Sequence, residues 1–156
     1  MKKKNIILSS LALLSIFALA PRADGALTCT FGSVTGVNFG SYDVFSASPT
    51  TSTGTISYSC RKVGGPQVMV MSLSTGSSGT FANRTLRSGV NILNYNLYPT
   101  AANSQVWGDG TGTTYGYSID PVDNLVDTIT VYGTIPAGQD VGVGSYTDTI
   151  TVTMNF

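Results

Sequence analysis

The chain has 156 residues, with no histidine, no glutamate and only two cysteines. Its formal charge of zero hides an asymmetry: Lys2, Lys3 and Lys4 crowd the start, whereas from Ala26 onward four cations (Arg61, Lys62, Arg84, Arg87) face seven aspartates, leaving −3. That balance gives no basic footprint for nucleic acid. Without His, the commonest general base and metal ligand is missing, and Ser-His-Asp and Cys-His catalysis are excluded.

The N-terminus reads MKKKNIILSSLALLSIFALA, a cationic start followed by an apolar stretch and then small residues. This is the pattern of a secretory signal peptide over residues 1–25. The apolar run is shorter than the roughly 20 residues a membrane-spanning helix needs. Cleavage is expected near residues 20–25, and Pro21 disfavours the bond after Ala20, so the bonds after Ala23 and Gly25 are preferred. Residues 26–156 then form one domain's worth of chain, exported across the inner membrane.

Cys29 and Cys60 both fall in the exported part, where oxidation is the default, and with only two the pairing is fixed. The mature sequence has one Lys and abundant Gly, Ser and Thr, a poor stock for helix surfaces. Its apolar residues alternate in short runs between Gly, Pro, Asn and Asp, which predicts an all-β sandwich or barrel.

In chain order, ALTCTFGSVTGVNFG predicts an opening strand around Leu27 to Phe31 and a second short piece around Val37 to Phe39. A Ser-, Pro- and Thr-rich loop carrying Phe45 follows. TGTISYSCR puts Ile56, Tyr58 and Cys60 on one face of the next strand, which places the disulfide in the core layer. PQVMVMSLSTG is apolar on both faces and reads as a central strand. RTLRSGVNILNYNLY gives a short strand, a turn at Ser88 and Gly89, and a longer strand with Leu93, Tyr95 and Leu97 facing one way. SQVWGDGTGTTYG predicts a brief strand running into a glycine-rich loop. DTITVYGTIPAGQDVGVGSYTDTITVTMNF reads as a hairpin-like pair. Its last strand ends on Phe156, with Tyr146, Ile150, Val152, Met154 and Phe156 on one face and Thr147, Thr149, Thr151 and Thr153 on the other.

The chemistry-bearing motifs are weak. Asp120, Asp123 and Asp127 in DPVDNLVD match no compact calcium loop and lack a closing bidentate Glu, so turn formation is the preferred reading. WGDGTGTTYG has no Lys-Ser/Thr pair and no following helix, which makes it a hairpin loop rather than a phosphate cradle. Trp107 is either a stacking platform or a core anchor. Asn83-Arg84-Thr85 is a glycosylation sequon relevant only in a eukaryotic secretory pathway. No metal, cofactor or small-molecule substrate is expected, and the chain is read as a non-enzyme.

Three stretches carry a family resemblance: VNFGSYDVFSASPTTSTGTISYSC, LNYNLYPTAANSQVWGDGTG and TVYGTIPAGQDVGVGSYTDTITVTMNF. In order and content they resemble the spore coat protein U domain family, which includes subunits of archaic chaperone-usher pili. The resemblance spans Cys29 to Phe156. It implies an immunoglobulin-like β-sandwich lacking its final strand, held first by a periplasmic pilus chaperone and then assembled at an outer-membrane usher. A neighbouring pilus subunit would supply the missing strand in trans, a form of β-augmentation. The acceptor groove implied here comprises Leu27, Phe31, Tyr146, Ile150, Val152, Met154 and Phe156. Loops around Phe45 and from Trp107 through Tyr115 are candidate adhesive tips at the cell surface. A polymerising subunit should carry a donor segment before its first strand, yet at most PRADGALT precedes Cys29. The expectation is therefore a subunit that accepts a strand and has none to give, at a fibre tip; the alternative is a secreted spore or cell-surface coat protein that does not polymerise.

Overall fold

The computed structural model describes residues 26–156; the expected signal peptide, residues 1–25, lies outside the described residues. Eight strands occur among the described residues: β1 (Ala26–Thr35), β2 (Thr50–Val63), β3 (Met69–Leu73), β4 (Arg84–Ser88), β5 (Asn91–Tyr98), β6 (Tyr117–Ile119), β7 (Val126–Ile135) and β8 (Val152–Asn155). One 3-10 turn, Gly76–Ser78, links β3 to β4. The five-stranded sheet has the order β1-β2-β7-β5-β4 and the three-stranded sheet the order β6-β3-β8, with antiparallel pairing between neighbouring strands. This is an all-β, immunoglobulin-like sandwich of a curled larger sheet and a small one.

Alternation explains which side chains fill it. Ile56, Tyr58 and Cys60 of β2, Leu93, Tyr95 and Leu97 of β5, and Ile129, Val131 and Ile135 of β7 are all buried on the inner face. Met69, Met71 and Leu73 of β3 meet them from the small sheet, and β3 is its central strand, as its two-sided apolar pattern predicts. The β4–β5 hairpin turns at Gly89 and Val90, where Gly89 takes a left-handed φ of 59° that a side chain would disfavour.

Three expectations are corrected. β7 and the last strand are not a hairpin: β7 pairs with β2 and β5, whereas β8 pairs with β3 in the other sheet. Both strands alternate, and placing them in opposite layers buries both apolar faces against each other. No strand forms within SQVW, where an isolated bridge between Trp107 and Tyr115 closes the loop instead. Val37 to Phe39 is also not a strand, because after Thr35 the chain leaves the sheet edge and crosses its inner face. A Cβ on Gly54 would stand 2.5 Å from the Thr35 carbonyl, and one on Gly133 would stand 2.7 Å from both Val37 and Phe39. Those two glycines make room for the crossing segment.

Candidate functional site

Directly opposed residues of an antiparallel pair point to the same face. On β1, Cys29 opposes Cys60, Phe31 opposes Tyr58, and Val34 opposes Ile56; one extra residue between Phe31 and Val34 bulges the strand and keeps Val34 facing inward. Cys60, Tyr58 and Ile56 are each 2% exposed, yet Phe31 is 42% and Val34 54% exposed. Their side chains point to the core side of the sheet, but no layer of the described residues covers them. β1 pairs only with β2, so its outer edge is also open among the described residues.

The last strand has the matching defect. Arg87 and Thr147 exchange both backbone hydrogen bonds, at 2.8 and 3.1 Å, and the Ser74 N–H donates to the Thr151 carbonyl at 2.9 Å. Thr153 lies opposite Ser72 of β3. Backbone groups of successive strand residues point to alternate edges, so these odd-numbered residues all face the β4 and β3 side. Asp148, Ile150, Val152 and Met154 therefore turn their N–H and C=O groups to the other edge, where the described residues provide no strand. The residues whose side chains face inward are the ones whose backbone groups are left open.

Between these features runs a cleft of two joined hollows, about 860 Å³ and about 190 Å³, which share Val37, Phe39, Leu86 and Asp148. The smaller has Val34 on one wall, Ile150 and Val152 on the other, and Ile56 and Leu73 at its floor. Tyr146 lines the larger. Of the residues expected from sequence, Tyr146, Ile150 and Val152 thus come together in the cleft. Leu27 and Met154 lie half-buried against the core along the flanking strands, Phe31 stands on the uncovered face of β1, and Phe156 is exposed at the chain end. Sequence reasoning missed Val34, Val37, Phe39 and Asp148. Val37 and Phe39 carried the right signal, alternation, but nothing indicated that they cross the sheet.

Two aspartates line the cleft, Asp43 at the larger hollow alone and Asp148 at both. Asp148 interrupts the row Tyr146, Ile150, Val152; its Oδ2 accepts the Tyr95 hydroxyl at 2.7 Å, and its Oδ1 accepts the Ser77 and Thr149 N–H groups at 2.9 and 2.8 Å. Burial, aided by that carboxylate, pushes the Tyr95 phenol well above the usual tyrosine range. Beside it Arg84 is fully buried, donating to the carbonyls of Ser74 and Trp107 and to Asn96 Oδ1, with Phe81 under its guanidinium. Burial lowers its pKa, while the charge of Asp148 is among the influences that raise it.

The other sequence candidates are placed as follows. Cys29 and Cys60 form the disulfide between β1 and β2, buried as expected. Trp107 is fully buried and its indole N–H donates to the Met71 carbonyl at 2.9 Å, so it is a core anchor and is withdrawn from the adhesive candidates. Tyr115 is half-buried and packs edge-on against Tyr117, whereas Phe45 is 93% exposed at a loop tip. Asp120 pairs with Lys62 Nζ, Asp123 accepts the Lys62 N–H, and Asp127 accepts the Tyr58 hydroxyl, so each carboxylate is bonded to a residue of β2. Asp109 accepts from the Thr111 N–H and hydroxyl; these bonds close the glycine-rich loop and hold its carboxyl below the usual range.

The profile of the Spore Coat Protein U domain matches residues 16–153. The chain is 29% identical over 141 residues to Protein U of Myxococcus xanthus, covering 82% of this chain and 77% of that protein. Its fold is similar, at TM-score 0.52 and 22% identity, to a chain in the crystal structure of the CsuC-CsuE chaperone-tip adhesion subunit pre-assembly complex from archaic chaperone-usher Csu pili of Acinetobacter baumannii. That likeness covers 84% of this chain but 40% of the other.

Proposed function

The chain belongs to the Spore Coat Protein U domain family, and from that premise we propose that it is a non-enzymatic structural subunit of a chaperone-usher pilus. Its cleft is completed in trans by a strand, lent first by a periplasmic chaperone and then by a neighbouring subunit at an outer-membrane usher. The observation that carries this reading is the exposure of Phe31 and Val34, which face inward opposite fully buried partners. An extended segment laid along the open edge from Asp148 to Met154 would pair its backbone and cover both residues.

We further propose a place at the fibre tip. What supports this is the expected cleavage after Ala23 or Gly25, which would bring the mature start close to β1 at Ala26–Thr35. Mass spectrometry of the exported chain tests this: a mature N-terminus well upstream of Pro21 would remove the reason for a tip position. Adhesion at such a tip falls to Phe45, with Tyr115 as a lesser contributor.

The acceptor reading is tested by exporting the chain alone, with a chaperone, or with an alternating apolar peptide. We expect soluble, cooperatively folded material only in the complemented cases. A lone chain that is soluble, monomeric and cooperatively folded would favour the second reading, a secreted coat protein that stands without a donor.

A further inference from the structure

The acceptor reading asks what sequence the cleft selects, and Asp148 bears on the answer. A carboxylate facing the smaller, mainly apolar hollow is tolerated while water reaches it, but an occupying strand removes that water. An acceptor buried without a partner then carries its full desolvation cost. A carboxylate offers about four acceptor positions. Ser77 N–H and Thr149 N–H use Oδ1, and the Tyr95 hydroxyl uses one position on Oδ2, which leaves one on Oδ2 without a hydrogen-bond partner among the described residues.

The charge of that partner is also constrained. Arg84 lies in the same cluster, fully buried and bonded to carbonyl and amide oxygens rather than to a carboxylate. Its positive charge already offsets that of Asp148, so a second cation buried beside that pair would be uncompensated; Asp43, which also lines the larger hollow, is an exposed loop residue.

Resting on the strand-acceptor reading, we propose that Asp148 is the specificity-determining residue of the cleft. The strand it selects alternates apolar residues inward, except at the one position facing Asp148, where it carries a neutral hydrogen-bond donor: a Ser or Thr hydroxyl or an Asn or Gln carboxamide. Apolar positions on either side meet Tyr146 and Ile150, so the polar residue also fixes the register. A slip of two residues would set an apolar side chain on the carboxylate.

The test is a competition. The denatured exported chain is refolded with a pool of peptides of about 12 residues, identical except that Val, Thr, Asn or Lys occupies each inward position in turn, and the captured peptides are quantified by mass spectrometry. One position should favour Thr or Asn over Val by about tenfold, with Lys no better than Val. In Asp148→Leu/Tyr95→Phe, which removes the acceptor together with the hydroxyl it serves, that preference should revert to Val at the same position. Val winning everywhere, or Lys winning at that position, overturns the proposal while leaving the acceptor reading intact. Capture of no peptide from the pool overturns the acceptor reading, and this inference with it.

Discussion

The Asp148 carboxylate accepts the Tyr95 hydroxyl at 2.7 Å, linking the last strand to β5 across the cleft. The contact adds a side-chain link between the two layers beside the Arg87–Thr147 backbone pair. Asp148→Ala leaves that hydroxyl and the Ser77 N–H without their acceptor, and should cost about 2–3 kcal/mol. Guanidinium denaturation of the strand-complemented protein measures it. A double-mutant cycle with Tyr95→Phe should return a coupling of about 1–2 kcal/mol, and additive losses would refute the link.

Two tyrosines make the fold alkali-sensitive. Burial, reinforced by hydrogen bonds to Asp127 and Asp148, raises the pKa values of Tyr58 and Tyr95 above the ordinary tyrosine value of 10.0. Above that value the unfolded chain releases these protons while the folded chain retains them. The unfolded state then binds fewer protons, so stability falls as pH rises. The contribution is fully present below pH 10 and is lost progressively above it, toward the raised folded values. Urea midpoints of the complemented protein between pH 8 and 11 should decline, and Tyr58→Phe and Tyr95→Phe should each flatten the slope.

Much of this arrangement is legible in the sequence. The alternation in β2, β5 and β7 marks which residues are buried, and the two cysteines mark their own bond. What alternation cannot convey is the layer in which a strand ends up. DTITV and TDTITVTM carry nearly the same pattern, yet they lie in different sheets because the connection between them is long enough to change layers. Val37 and Phe39 have strand-like spacing, but Gly54 and Gly133 permit a crossing that only the neighbouring backbone reveals. Asp148 is visible as an acid on an apolar face; its meaning depends on Tyr95 and Ser77, which are distant in sequence.

The Cys29–Cys60 bond closes a sequence separation of 31 residues between β1 and β2, with the Cα atoms 4.1 Å apart. Among the described residues β1 has β2 as its only strand neighbour, so the bond matters most where other restraint is least. Replacing both cysteines by alanine should cost about 3 kcal/mol by the loop-entropy estimate. Hydrogen exchange should report the loss first in β1, with β5 and β7 less affected. Uniform loss across all strands would contradict this local role.

Phe31 should contribute to capturing a strand more than to the fold of the uncomplemented chain. It is already partly exposed, so burying its remaining surface is worth about 1–2 kcal/mol. Phe31→Ala should weaken peptide capture by about tenfold. Thr30→Ala, on the outer face of the same strand, should leave capture within about twofold. Equal effects from both substitutions would mean that capture does not use the inner face of β1.

Two of the three aromatic residues singled out for adhesion, Trp107 and Phe45, should separate cleanly by experiment. Trp107 is fully buried with its indole N–H on the Met71 carbonyl, and its own carbonyl accepts from Arg84. Trp107→Ala opens a cavity beside a buried guanidinium and should cost about 3–5 kcal/mol, enough to deplete the exported protein. Any fall in surface attachment should then track abundance. Phe45 is 93% exposed, and its loop is held by the Asp43 carboxylate, which accepts the Phe45 N–H at 2.9 Å without help from the ring. Phe45→Ala should change stability by less than about 0.5 kcal/mol and leave expression unchanged. A drop in attachment to apolar surfaces at constant surface abundance would therefore be due to the ring itself. Unchanged attachment would exclude this loop tip as the adhesive element.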